Sequence, residues 1–223
     1  WRSKNPKQRG YADYASESKL YLKTFQKRMA LVSRWLPERA RILDVGCAAG
    51  YFLRIAREHG HDVHGVELSA AIAVEAQKAL GEDRVHVGTL DDAVAAMDYR
   101  PRSFDMVTLW DVIEHLPEPQ AVLDRIRELL KPGGRLLLET QNVASRWARL
   151  LGRRWHHYKH DEHLYHFDPQ TIRRLLEERG FRVLACGSKY AGKYVSFAFL
   201  AERAGRLGRL LGLLARGLRL LAP

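Results

Sequence analysis

One segment, ILDVGCAAGYF at residues 42–52, constrains the fold of this chain more than any other. An apolar run leads into Gly46 and Gly50, which enclose only small residues, and a helical pattern begins near Tyr51. Small residues let the backbone approach a ligand closely, and the amides exposed at a helix start suit an anionic group. The segment therefore predicts a strand, a glycine turn and a helix that together hold a nucleotide-like ligand.

From residue 41 onward, short β-rich runs alternate with segments of helical spacing. These runs are RILDV (41–45), DVHGVEL (62–68), RVHVG (84–88), FDMVTLW (104–110) and RLLLET (135–140). Several lack polar alternation, as expected of central parallel strands that helices cover on both faces. The pattern predicts an α/β fold with a doubly wound, Rossmann-like, mostly parallel sheet. PGG at 132–134 is predicted to turn the chain into the fifth strand, and FRVLACG at 181–187 is predicted as a sixth.

The segments on either side complete the predicted organisation. We divide the chain into a helical cap (1–40), a main domain (41–198) in which 141–168 forms a lid, and a basic amphipathic tail (199–223). An amphipathic helix is expected from Leu20 to Trp35, ending before Pro37. A second is expected after Asp168, which is a preferred N-cap residue. Truncation of the sheet at its C-terminal strand stays open.

The net charge of +11 is concentrated at the margins of the domain. Residues 1–10 carry four basic side chains, 146–160 carry five, and 199–223 carry five arginines against one glutamate. Packing of the tail against the domain is the favoured interpretation, and contact of the tail with an anionic membrane surface is the alternative. Basic residues near aromatic ones also suit single-stranded nucleic acid. No recognised nucleic-acid module accompanies them, so no specific nucleic-acid partner is expected.

Cysteine usage and hydropathy bear on the compartment. Cys47 and Cys186 lie far apart and in no CxxC pair, so neither a disulfide framework nor a complete zinc site is predicted. No apolar run is long enough to span a bilayer. We expect a cytoplasmic protein whose membrane association, if any, uses the tail. The oligomeric state stays open.

Two carboxylates accompany the glycine turn. Asp44 lies in the strand just before it, and Glu67 ends the next strand, 17 positions after Gly50. This is near the spacing at which an acid meets ribose hydroxyls in nucleotide-binding βαβ units. A nicotinamide dinucleotide is disfavoured, because GxGxxG would need a glycine where this chain has Ala48. The alternative is a tight turn that binds no ligand.

The motifs ILDVGCAAGYF, GVELS, FDMVTLWDVIEHL and LKPGGRLLLET, in this order, resemble the signatures of class I S-adenosylmethionine-dependent methyltransferases. WDVIEHL and EHLYHF are similar to the branch that includes ubiquinone-biosynthesis O-methyltransferases and related bacterial enzymes. The resemblance implies S-adenosyl-L-methionine as cofactor and S-adenosyl-L-homocysteine as product. We expect O-methylation of a small-molecule, sugar or lipid-linked acceptor. The alternatives are N-methylation of a small molecule, methylation or binding of RNA, and a scaffold without activity.

The resemblance also assigns cofactor residues. The implied contacts are Asp44, Gly46, Cys47 and Gly50 at the methionine end, Glu67 and the adjoining Leu68 at the ribose, Thr89 and Leu90 at the adenine, Trp110 and Asp111 at the sulfonium, and Tyr11 and Tyr14 closing over the cofactor. Many relatives place an aspartate where it binds the adenine amine. This chain offers Asp91 or Asp92 slightly later in the sequence.

Methyl transfer from a sulfonium mainly requires the protein to align and desolvate the acceptor, and a base helps when the acceptor is a hydroxyl. His115 is the first predicted base, and Asp111, His157 and His163 complete the predicted catalytic set. Asp111, Glu114 and His115 also stand at i, i+3 and i+4, which on a helix would place three cation ligands on one face. A locally satisfied helix start is favoured over a divalent metal.

The segment RRWHHYKHDEHLYHF at 153–167 is rich in aromatic and histidine side chains. Its position after the fifth strand places it above the carboxyl ends of the sheet, where loops bind ligands. We expect a substrate lid in which Trp155 and Tyr158 stack on the acceptor. A zinc site is disfavoured, because the spacing is irregular and no cysteine lies nearby.

Overall fold

The computed structural model describes residues 18–159, 161–188 and 192–194. Its helices are α1 (Ser18–Val32), α2 (Tyr51–Glu58), α3 (Ala70–Leu80), α4 (Leu90–Ala96), α5 (Pro119–Leu129), α6 (Arg146–Leu151) and α7 (Pro169–Glu178). Its strands are β1 (Arg41–Val45), β2 (Asp62–Glu67), β3 (Val85–Val87), β4 (Phe104–Trp110) and β5 (Leu130–Glu139). Short 3-10 turns occupy Ser33–Trp35, Ile113–His115 and Gly152–Arg154.

The strands form one parallel sheet in the order β3-β2-β1-β4-β5. β1 pairs with β2 on one side and β4 on the other, so that Val45 lies opposite both Val66 and Leu109. The chain winds outward from β1 to β3 and then crosses back to β4, which makes β1 and β4 the point where the strand order reverses. Ligands of open α/β sheets bind at such a point, outside the carboxyl ends of the strands. The predicted doubly wound, Rossmann-like fold is confirmed.

The central strands are buried because helices cover them. Residues 42–45 of β1 are buried without alternation, and so is almost all of β4. Helices α2 and α3 pack on β2 and β3, and α5 packs on β5. Apolar side chains such as Phe52, Leu123 and Ile126 fill the space between the layers and are fully buried. Burial on both faces explains why these strands read as continuous apolar runs.

Two predictions at the β5 edge need correction. β5 already begins at Leu130, so PGG at 132–134 lies inside the element, and a register irregularity in the pairing with β4 accommodates it. No strand forms over 181–187, where most side chains are exposed. Strand propensity depends on a neighbouring strand to pair with, and within the described part of the chain β5 pairs only with β4. The prediction of a sixth strand over FRVLACG is therefore wrong.

The helices outside the sheet follow the sequence signals more closely. α1 is continued by the 3-10 turn that ends at Trp35, as predicted. α7 starts after Asp168, whose side chain accepts from the backbone N–H groups of Gln170 and Thr171, and Gly180 follows its end with a φ of 81°. No helix in the described ranges could cross a membrane. The predictions for Tyr11, Tyr14 and the 199–223 tail concern parts of the chain outside the described residues.

The chain divides into two units, one comprising residues 1–27 and 192–223 and the other residues 28–191. In the first unit, the Thr24 hydroxyl donates to the Leu20 carbonyl at 2.8 Å and accepts from the Tyr194 N–H at 3.0 Å. The sheet and the site described below belong to the second unit. The proposed divisions at residues 40 and 198 stay predictions.

Candidate functional site

The turn between β1 and α2 is tight and held by backbone hydrogen bonds. Gly46 and Gly50 have φ values of 75° and 73°, in the left-handed region that favours glycine. The N–H groups of Gly46 and Cys47 both donate to the Val66 carbonyl, at 2.8 and 3.0 Å. A Cβ at Gly46 would lie 2.5 Å from Cγ2 of Val112. The turn therefore packs directly on the segment that follows β4.

Glu67, at the end of β2, is bound to this turn. One carboxylate oxygen accepts from the Ala48 N–H at 2.9 Å, and the other accepts from the Ser69 N–H at 2.8 Å. Burial raises the pKa of Glu67, and these backbone hydrogen bonds oppose the rise. Each carboxylate oxygen can accept more than one hydrogen bond, so the arrangement still leaves acceptor capacity for hydroxyl groups. The ribose contact stays a prediction.

Asp44 is a deeply buried carboxylate of the site, only 1% exposed. It accepts a hydrogen bond from the Thr108 hydroxyl of β4 at 2.6 Å. Burial raises its pKa from 3.8 to about 7, opposed by the Thr108 hydrogen bond and by the positive charge of Arg28. Sequence reasoning missed Thr108. The signal was a hydroxyl in the middle of the otherwise apolar end of FDMVTLW.

Arg28 of α1 joins the ends of β4 and β5. Its guanidinium donates to both carboxylate oxygens of Glu139, at 2.6 and 3.2 Å, and lies 3.9 Å from a carboxylate oxygen of Asp111. The same guanidinium stands 4.6 Å from the ring centroid of Trp110. Asp111 itself has a φ of 57°, which is strained for a residue other than glycine. Arg28 and Glu139 were not predicted. The sequence signal for Arg28 was its helical spacing from the apolar residues Phe25 and Leu31.

A second group of polar side chains lies where the 113–115 turn meets the segment after β5. Nδ1 of His115 is 2.7 Å from the carbonyl oxygen of Glu162, and the rings of His115 and His163 are 4.7 Å apart. Burial, together with the neighbouring His115 and Lys159, lowers the pKa of His163 to about 4. The predicted catalytic histidines 115 and 163, distant in sequence, are thus in contact.

Glu114 ties the two segments together. Its carboxylate accepts from the Thr140 hydroxyl at 2.9 Å, and its backbone carbonyl accepts from the N–H groups of Leu164 and Tyr165. The carboxylate is buried. Leu164 and Tyr165 are consequently held against the turn that follows β4, and the substrate lid stays a prediction.

The candidate metal ligands differ from the predicted trio. Residues 113–115 form a 3-10 turn rather than part of an α-helix, and Asp111 lies before this turn with a left-handed φ of 57°, so the predicted helical face of Asp111, Glu114 and His115 does not form. One ligand atom each of Glu114, His115 and His163 lie within 4.8 Å of one another. Asp111 is not in this group and lies near Arg28 instead. The structure therefore brings Glu114 and His115 together with His163 of the segment after β5.

The other predicted residues fall into three places. Trp155 is only 6% exposed and packs on His157 and Tyr158, with ring centroids 5.0 and 5.2 Å apart. The Trp155 indole contacts the rings of His157 and Tyr158, and because it is buried it has little free surface on which an acceptor could stack. Thr89 caps α4 in a capping box with Asp92. Leu68 is exposed after β2, and Leu90 is buried in α4. Asp91, a candidate for binding the adenine amine, pairs with Arg125.

Comparisons with known proteins agree with this architecture. A family model described as a methyltransferase domain matches residues 14–185. A ubiquinone biosynthesis O-methyltransferase of Xanthomonas euvesicatoria pv. vesicatoria (strain 85-10) is 35% identical over 135 residues, covering 54% of this chain and 55% of that protein. The chain thus spans about half the length of this curated relative.

Solved structures match the fold at lower identity. A SAM-dependent methyltransferase of Thermotoga maritima, described as a possible histamine N-methyltransferase, has a TM-score of 0.60 at 21% identity and covers 80% of this chain and 79% of that one. Phosphoethanolamine N-methyltransferase 2 of Haemonchus contortus, in complex with S-adenosyl-L-methionine, has a TM-score of 0.55 at 23% identity. The match covers 79% of this chain and 43% of that one. Since the family model spans most of the chain and the sheet is the one that the resemblance implied, the chain belongs to the methyltransferase-domain family, in the class I S-adenosylmethionine-dependent group.

Proposed function

We propose that this chain transfers the methyl group of S-adenosylmethionine to a hydroxyl oxygen of a small-molecule, sugar or lipid-linked acceptor. The observation that carries the proposal is the 2.7 Å contact between Nδ1 of His115 and the carbonyl oxygen of Glu162. A carbonyl cannot donate, so Nδ1 carries the proton, and in the neutral ring Nε2 holds the lone pair. The site can thereby accept a proton from a hydroxyl.

The charges at the carboxyl ends of the strands, around the point where the strand order reverses, are complementary to those of the cofactor. Asp44, Glu67, Asp111 and Glu139 outnumber Arg28 at the carboxyl ends of β1, β2, β4 and β5. Such an excess of carboxylates favours a ligand with an ammonium and a sulfonium group. When bound, the cofactor supplies an electrophilic methyl group on sulfur and its own leaving group. Asp44 would hold the ammonium and Glu67 the ribose hydroxyls.

The residues after β4 and β5 would act on the acceptor. His115 would take the hydroxyl proton through Nε2 as the oxygen–carbon bond forms and the carbon–sulfur bond breaks, with the electron pair leaving on sulfur. His163 stays neutral near pH 7 because its pKa is lowered to about 4. It therefore adds no second positive charge beside the imidazolium that forms on His115. Tyr158 and His157, supported by Trp155, would line the acceptor's position.

The alternatives have weaker support. Stacking of RNA bases on Trp155 is disfavoured because the indole is buried. A divalent cation between Glu114, His115 and His163 would compete with the Thr140 hydroxyl for the Glu114 carboxylate. N-methylation of a small molecule would need no base of this kind once the amine is neutral. We favour O-methylation, in agreement with the name of the 35% identical relative.

The test begins with cofactor binding and an acceptor screen on the chain as it stands. Calorimetry is expected to show binding of S-adenosylhomocysteine, and phenols and sugar hydroxyls are expected to accept a methyl group in preference to amines. His115→Ala is then expected to lower kcat about 10²-fold or more, while the affinity for S-adenosylhomocysteine stays within about twofold. Loss of affinity in parallel with kcat would make His115 structural.

A matched control is available in His59→Ala. His59 makes the same type of contact, from Nδ1 to the carbonyl of Ile55 at 2.8 Å, but lies at the end of α2. Its replacement is expected to leave kcat unchanged. A chelator-sensitive activity in the wild-type protein would favour the metal interpretation, and binding of NADH in place of S-adenosylhomocysteine would contradict the proposal as a whole.

A further inference from the structure

A patch on α6 and the turn that follows it combines exposed apolar and basic side chains. Trp147 is 66% exposed and Leu150 is 74% exposed, which are the largest values among the exposed large apolar residues of the described chain. The surrounding exposed residues are Arg146, Arg149, Arg153 and Arg154. We call these six residues the α6 patch.

The orientation of α6 is the reverse of that expected for a surface helix. Ala148 is its buried residue, while the larger Trp147 and Leu150 point outward from positions i and i+3, which share a face. Ser145 caps the helix by accepting from the Ala148 N–H, which fixes the start of α6. Soluble surface helices normally bury the large apolar side chains and expose the small or polar ones. The exposed pair indicates a surface that another phase or molecule covers.

The charge around the pair has one sign. Residues 140–160 contain no aspartate or glutamate, and no carboxylate of the described residues pairs with the four arginines. Arg149 donates to the carbonyl of Ala144 at 2.9 and 3.0 Å, which holds its side chain without neutralising it. The nearest acidic residues on either side along the chain that form ion pairs are Glu139, which pairs with Arg28, and Glu162, which pairs with Lys159. The patch is therefore complementary to an anionic surface.

An anionic bilayer fits both properties. Tryptophan is enriched at membrane–water interfaces, leucine enters the acyl boundary, and arginines bind lipid phosphates. RNA fits less well, because Leu150 offers no stacking face and the aromatic Trp155 is buried. A second copy of the chain fits less well too, since a two-fold contact through this patch would bring the arginines of both copies together.

We propose that the α6 patch is a docking surface for an anionic lipid bilayer, with Trp147 and Leu150 at the acyl boundary and the arginines on the headgroup phosphates. α6 belongs to the same 141–168 segment that supplies His163 beside His115, so docking would bring the segment of the proposed acceptor position to the lipid. That consequence rests on the proposed function and favours an acceptor dissolved in or linked to the bilayer. The docking itself does not depend on the reaction.

The test is co-sedimentation with vesicles made of phosphatidylglycerol and phosphatidylcholine in equal parts, and with vesicles of phosphatidylcholine alone. The wild-type chain is expected to sediment with the first and not with the second, and to be released by salt. Arg146→Gln with Arg153→Gln is expected to weaken the partition about 25-fold, since each interfacial arginine is worth about fivefold. Trp147→Ser with Leu150→Ser is expected to weaken it about tenfold or more.

Matched controls come from exposed residues outside the patch. Val74→Ser on α3, where Val74 is 42% exposed, and Arg102→Gln before β4 each remove one exposed side chain, apolar and basic respectively, and are expected to leave the partition unchanged. Unchanged partition in the patch variants, equal binding to both vesicles, patch-dependent retention of RNA, or a patch-dependent dimer in light scattering would each overturn the proposal. Binding of S-adenosylhomocysteine, measured on the same variants, reports on the proposed function separately and on correct folding.

Discussion

At the scale of single residues, the site depends on backbone space as much as on charge. Gly46 has both a left-handed φ and a neighbour within contact distance, Val112. Gly60 has a similar φ of 85° but nothing within 4 Å of an added Cβ. The two glycines therefore separate the effect of backbone strain from the effect of close packing.

We predict that Gly60→Ala costs about 1 kcal/mol of unfolding free energy from the left-handed backbone alone. Gly46→Ala is expected to cost about 3 kcal/mol, because the methyl group also displaces Val112 beside Asp111. Affinity for S-adenosylhomocysteine is expected to fall more than about tenfold in Gly46→Ala only. Urea unfolding and calorimetry on both variants check this. Equal losses in the two variants would show that packing at Gly46 does not matter.

The raised pKa of Asp44 has consequences for binding and for stability. The Asp44 carboxylate, which in the proposed function would hold the cofactor's ammonium, is largely protonated below its pKa of about 7. We predict that cofactor affinity falls by up to about tenfold per pH unit below this pKa. Asp44→Asn is expected to bind weakly at every pH. Thr108→Val removes a hydrogen bond that lowers the pKa, so its affinity profile is expected to shift to higher pH.

The effect of Asp44 on the pH dependence of folding stability is opposite to that of most carboxylates, whose pKa falls on folding. Because the pKa is raised from 3.8 to about 7 on folding, the folded state holds this proton more tightly. Asp44 therefore contributes a loss of stability as pH rises between these two values. Denaturant unfolding as a function of pH is expected to show a weaker loss in Asp44→Asn. A steeper loss in that variant would contradict the assignment.

At the scale of elements, the start of α7 secures the segment after β5. Asp168 caps α7, and the preceding Phe167 forms a bridge with Asn142 and accepts from the Val143 N–H at 3.0 Å. The cap and the bridge are adjacent, so the two ends of the 141–168 segment are held at one point. This contact is independent of the hydrogen bonds that join Leu164 and Tyr165 to Glu114.

We predict that Asp168→Ala lowers the unfolding free energy by about 1 kcal/mol, as loss of an N-cap does. Glu118→Ala is the control, because Glu118 occupies the N-cap position of α5 without a side-chain capping bond. It is expected to cost a few tenths of a kcal/mol at most. Thermal or urea unfolding of the two variants measures the difference. A similar cost at both positions would mean that the Asp168 bonds contribute nothing.

At the scale of the molecule, Arg28 connects α1 to the carboxyl edge of the sheet. Its side chain and that of Glu139 are 5% and 17% exposed, and the pair has two hydrogen bonds. Removing one partner of such a buried pair leaves a charge without compensation, which costs more than the pair itself contributes. Asp111, also facing this guanidinium, would lose its counter-charge too.

We predict that Arg28→Met destabilises the chain by about 3 kcal/mol. Arg28→Met combined with Glu139→Gln is expected to be less destabilised than Arg28→Met alone, because the second change removes the uncompensated charge. The control is Arg125→Met, whose pairs with Asp91 and Glu128 are exposed, and which is expected to cost below about 1 kcal/mol. A double variant less stable than Arg28→Met would contradict this explanation.

Features that depend on local or periodic information could be predicted from the order of the amino acids. The strand–turn–helix at Gly46, the alternation of strands with helices and the cap at Asp168 follow from neighbours within a few positions, and all three are present. The strand predicted over 181–187 does not form. A strand needs a neighbouring strand to pair with, and the local sequence does not show whether one is present.

Contacts between side chains that are distant in sequence depend on the folded arrangement of the strands and loops. Arg28 and Glu139 are 111 positions apart, and Thr108 and Asp44 are 64 apart. His163 reaches His115 because the segment after β5 folds back over the end of β4. Periodicity fixes which face of an element is buried, but the partner of a buried charge depends on strand order and loop path, which bring distant residues to one edge of the sheet.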